Sequence, residues 1–133
     1  MALEPTQVAR YARHLLLAGV GRAGQERLLA AGVRLLGEGL AAEEAATYLA
    51  AAGVGRLVLT PGLAERLAAR LAALNPDVAV VTEGPADLTL AEAAPDTRLV
   101  GSMAALSALV ELSGAGPRPE WNLPDVAMGW QSC

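Results

Sequence analysis

The stretch Val33-Arg34-Leu35-Leu36-Gly37-Glu38-Gly39-Leu40-Ala41-Ala42 constrains this chain more than any other. A short apolar strand runs into G-x-G-x-x-A and then into a long Ala-rich helix, Leu40 to Ala52, closed by Gly53 as its C-terminal cap. In such a unit the first glycine (Gly37) permits a tight turn, and the second (Gly39) lets a phosphate approach the backbone. The small third residue (Ala42) lets helix and strand pack closely. Three features oppose a bound phosphate. Glu38 adds negative charge to the turn, and Glu43 and Glu44 already complement the positive end of the helix dipole. Thr60 stands where an acidic ribose ligand is expected, about twenty residues on. A turn kept only for packing explains the pattern as well, so a nucleotide site and its bare scaffold both stand at this point.

The rest of the chain extends that unit. Pro5 to Leu17 reads as a first helix and Gln25 to Ala31 as a second, separated by Gly19-Val20-Gly21. Arg56 to Thr60 is a second strand. Leu63 to Leu74 is a helix with leucines at helical spacing, stopped by Asn75-Pro76, and Val78 to Thr82 is a third strand. Strand, helix, strand, helix, strand with short connections predicts a parallel βαβαβ sheet, hence an α/β, shortened Rossmann-like fold with two N-terminal helices. A polar stretch to Asp96, an apolar helix over Leu99–Ser113, a loop over Gly114–Pro124 and an edge strand over Val126–Trp130 follow. One domain is expected, with N-terminal helices over 1–32, the βαβαβ unit over 33–82, and the late helix and tail over 83–133.

Composition narrows the function. Of 133 residues, 53% are hydrophobic and 18% charged, which is ample for a core. There is no Lys, Ile or Phe. Eight Arg face six acids in residues 1–70, but only two Arg face eight acids beyond, so no basic face suits nucleic acid. The single Cys133 excludes an internal disulfide and a Cys₄ zinc site, and no metal site is expected. No apolar run is long enough to span a bilayer and no signal segment opens the chain, so no membrane partner and a cytoplasmic location are expected. Cys133 reads as a free thiol. Trp121 and Trp130 flank a Pro-rich loop, where they either pack or anchor a partner.

Four stretches together resemble the MoeB/ThiF/HesA group of ubiquitin-activating-type enzymes, which adenylate the C-terminus of small sulfur-carrier proteins. They are "RYARHLLLAGVGRAGQERLLAAGVRLLGEG", "YLAAAGVGRLVLTPG", "ALNPDVAV" and "GSMAALSALVELSGAG", in the family's order. The resemblance implies a Rossmann-like dimer that binds ATP and Mg²⁺. Several implied groups have no counterpart here: the Asp after the second strand, the Asn-x-x-R-Q segment, the phosphate-binding Lys, the C-T-D-N strand with its metal-binding Asp, and the zinc CxxC pairs. Arg13 alone matches the family's catalytic set, where it reaches the ATP of the neighbouring subunit; a helix-surface charge explains it equally. His14 stands where the family usually has Gln.

Adenylation requires a metal and cationic clamps on the transferring group, and the sequence offers one matching Arg. The expectation is therefore a non-catalytic, degenerate family member without a cofactor, ATP binding being weak at most. Its vestigial nucleotide site comprises Arg13, Gly37, Gly39 and Ala42. It acts as a dimerising or partner-binding module in a sulfur-carrier or molybdopterin/thiamine-type pathway. The alternative is a minimal adenylate-forming enzyme subunit completed by a partner. The late helix is apolar nearly all round. Leu99, Val100, Met103, Leu106, Leu109 and Val110, with Leu112, are the expected interface, together with the N-terminal helix bearing Arg13. The partner is a second copy or a longer family member, and a small sulfur-carrier protein is a further candidate.

Overall fold

In the computed structural model, residues 3–11, 21–92, 95–114 and 130–132 are described. The elements are α1 (Pro5–Arg10), α2 (Gly21–Ala30), β1 (Gly32–Leu35), α3 (Leu40–Ala52), β2 (Arg56–Val58), α4 (Pro61–Leu74), β3 (Ala79–Val81), β4 (Leu88–Leu90), α5 (Arg98–Ser113) and β5 (Trp130–Ser132). They form an α/β fold around one five-stranded sheet of order β3-β2-β1-β4-β5. The first four strands are parallel and β5 runs antiparallel against β4.

Register and pleat decide which residues enter the core. Val33 pairs with Leu57 on one side and Leu88 on the other, Leu57 pairs with Val80, and Leu35 pairs with Leu90. Because side chains alternate across a strand, this row lies on the face under the helices. There it joins Leu49, Leu63, Leu67, Leu71, Ala105 and Ala108 in a single buried cluster. Arg34, Val58 and Thr89 share the opposite face, which the β3–β4 connection crosses: Arg34 donates to the Gly84 carbonyl and Arg56 Nε to that of Pro85 at 3.0 Å.

Helices α3 and α5 lie against each other through small residues. Ala41, Ala42, Ala45 and Ala46 are buried on one side, Gly101, Ala104, Ala105 and Ala108 on the other. A Cβ on Gly101 would run into the Ala41 carbonyl oxygen and stand 2.9 Å from that residue's Cα. Glycine is thus required here by close approach of two helices.

Four sequence expectations change. The polar stretch to Asp96 contains β4, a fourth parallel strand paired with β1. Its signal is only the alternation Leu88-Thr89-Leu90, too short for a periodicity to register. The second helix starts at Gly21 rather than Gln25. The described part of the first helix ends at Arg10, with the rest outside the described residues. The edge strand is Trp130–Ser132, sharing only Trp130 with the expected segment; 126–129 also lie outside the described residues.

Candidate functional site

The strand order reverses between β1 and β4, the place where open α/β sheets bind ligands at the carboxyl ends of their strands. The glycine turn leaves β1 there, and Glu92 and Asp96 leave β4. Gly37 has φ +105°, in the left-handed region that favours glycine. Gly39 does not: it caps α3 with φ −93° and ψ −160°, ordinary extended backbone. A Cβ at Gly39 would overlap the Asp96 carboxylate, so a side chain there would push Asp96 from its place.

Asp96 is the central residue of the site. Its Oδ1 accepts a hydrogen bond from Ala41 N at 2.8 Å, and its Oδ2 one from Leu40 N at 3.3 Å. These amides open α3 and are the donors that would face a phosphate. Thr97 caps α5 by accepting from Val100 N at 3.2 Å, so the helix begins two residues after Asp96. Two further carboxylates close around the turn: Glu92 Cγ would lie 3.2 Å from a Cβ on Gly37, and Glu38 folds against Gly62. Among the described residues, a small apolar cavity of about 20 Å³ lies between β1, β4, α3 and α5, lined by Leu35, Ala41, Ala42, Leu90 and Gly101 among others, room for about one water. As arranged, the described residues of the turn set three carboxylates, Glu38, Glu92 and Asp96, against an incoming phosphate.

Thr60 has a structural role. Its hydroxyl accepts from Leu63 N at 3.4 Å and caps α4, with Pro61 in the first turn.

Cations stand near the site that sequence reasoning missed. Arg66 and Arg70 of α4 reach Glu43 in the first turn of α3 at 3.3 and 3.2 Å. Arg98 of α5 lies 3.8 Å from Glu43 and 3.0 Å from Glu44. Arg66 also donates to the Glu38 carbonyl in the glycine turn. The i, i+4 spacing of Arg66 and Arg70 was the available signal. The hydrogen bond from Arg70, with the charges of Arg98 and Arg66 close by, holds the Glu43 carboxyl below the usual carboxylate range. A carboxylate depressed in the folded state stabilises fully above its unfolded value, about 4.3, and loses that contribution as pH falls through its folded value. The expected loss between pH 7 and 3, measured by urea unfolding, is therefore larger in the native protein than in Glu43→Gln. The difference should stay below about 1 kcal/mol, because the partner arginines are half exposed.

The residues of the sequence motifs meet elsewhere, at the other end of α3. Gln25 Nε2 donates to the Ala52 carbonyl at 2.9 Å. Asn75 Nδ2 donates to the Ala50 carbonyl at 2.9 Å and to the Tyr11 hydroxyl at 2.8 Å. Tyr11 in turn donates to Asp77 Oδ2 at 2.9 Å, which Arg10 also pairs with. Burial pushes the Tyr11 hydroxyl above the ordinary tyrosine range. This hub supplies partners to the last carbonyls of a helix that has none of its own to offer. It lies about 20 Å from the glycine turn, the length of a thirteen-residue helix.

Of the expected site residues, Gly37, Gly39 and Ala42 come together at the switch point. Arg13, His14, Trp121 and Cys133 lie outside the described residues. Among the described residues no group of three or more His, Cys, Asp or Glu could hold a metal ion, and no helix is long and apolar enough to cross a membrane. The expected interface set divides. Val100, 1% exposed, and Met103 are buried within the chain's own fold, because α5 turns them toward its neighbours. Leu99 and Leu106 stay exposed at 66% and 49%, and Leu109 and Val110 are half-buried.

No family model matches the chain. Among curated proteins, it is 48% identical over 60 residues to "Protein HesA, heterocyst" of Trichormus variabilis, covering 45% of this chain and 22% of that one. It is 38% identical over 103 residues to "SAMP-activating enzyme E1" of Haloferax volcanii, covering 60% and 38%. It is 52% identical over 58 residues to "Adenylyltransferase and sulfurtransferase MOCS3" of Mus musculus, covering 44% and 13%. These matches support a partial ThiF/MoeB/HesA family member. The chain spans well under half the length of these ThiF/MoeB/HesA relatives. The 103 aligned positions of the Haloferax protein cover only 60% of 133 residues, so that match runs across gaps here. Among solved structures, PaaA superposes with a TM-score of 0.73 at 13% identity, covering 98% of this chain and 75% of that one. E. coli MccB superposes with 0.71 at 12%, covering 92% and 71%. These likenesses show that the Rossmann-like fold is shared.

Proposed function

We propose that this chain is a non-catalytic ThiF/MoeB-like module that dimerises or binds a partner in a sulfur-carrier, molybdopterin or thiamine-type pathway. The observation that carries the reading is Asp96. Its carboxylate takes the α3 amides on which a nucleotide phosphate would depend. A ligand phosphate would have to displace an internal anion that is tethered at high effective concentration, with Glu38 and Glu92 adding like charge. The pathway rests on the names of the relatives, which include adenylyltransferases and a SAMP-activating enzyme. A second reading, an adenylate-forming subunit completed by a partner, draws support from Arg66, Arg70 and Arg98 beside the turn. In the structure their charges are directed at Glu43 and Glu44.

Calorimetric titration with ATP·Mg²⁺ separates the two. The expected result is no binding at micromolar concentration by the native protein, and a gain in affinity in Asp96→Ala, which frees the Leu40 and Ala41 amides. Micromolar affinity in the native protein, about −8 kcal/mol, overturns the non-catalytic reading.

A further inference from the structure

No further inference is drawn: the strongest candidate, the open recess of about 340 Å³ at the amino ends of β1 and β4 lined by Arg27, Asp87 and Glu111, carries nothing, because Arg27 donates to the Ser113 carbonyl at 2.8 Å and no observation among the described residues points to a ligand for the two carboxylates.

Discussion

Gly101→Val is expected to destabilise the fold by about 3 kcal/mol, at the upper end of overpacking effects, and to lower Tm by about 10 °C for a domain of this size. The cause is the contact between α5 and α3: a Cβ on Gly101 meets the carbonyl group of Ala41, which is backbone and cannot rotate aside. Helix α5 would have to lift from the first turn of α3, and Asp96, which holds that turn, lies just before α5. Gly101→Ala supplies the sharper sign. In an open helix it would stabilise by about 1 kcal/mol through propensity alone, and here it is expected to destabilise. Thermal unfolding followed by circular dichroism checks both. A raised Tm in Gly101→Ala would show that the helices do not approach as closely as described.

Asn75→Ala should cost about 2–4 kcal/mol, since a buried amide then stops donating to the Ala50 carbonyl and the Tyr11 hydroxyl and stops accepting from Asp77 N. Urea unfolding gives the value. The cost is below the sum of three lost bonds because Ala50 keeps the Gly53 amide and Tyr11 keeps Asp77. Tyr11→Phe is expected to cost about 1 kcal/mol, and the double variant less than the sum, since both residues share one bond. Strict additivity would mean that the hub is not a connected network.

The hub changes how the motifs are understood. Tyr11, Gln25, Gly53 and Asn75 each belong to a stretch that carried the family resemblance. In this chain they hold the C-terminal end of α3 rather than line a nucleotide crevice. A resemblance built on them certifies a scaffold, and the chemistry must be judged from the other end of the helix.

Local sequence determined much of the architecture. The alternation of strand and helix from Val33 to Val81 was legible because each segment carries its own period. The stops at Gly37, Gly53 and Asn75 act within a few residues of themselves. The absence of Lys and the acid at Glu38 were legible for the same reason. Three features were decided only by tertiary structure: the fourth strand, the position of Asp96 and the convergence of Arg66, Arg70 and Arg98. Leu88-Thr89-Leu90 is a strand because it lies beside β1, where its backbone groups find partners; alone, three residues specify nothing. Asp96 reaches Ala41 across 55 residues of chain, and Arg98 reaches Glu44 across 54. Such contacts leave no periodic trace, because they depend on which strands become neighbours, and that is set by burial of the whole sheet under its helices.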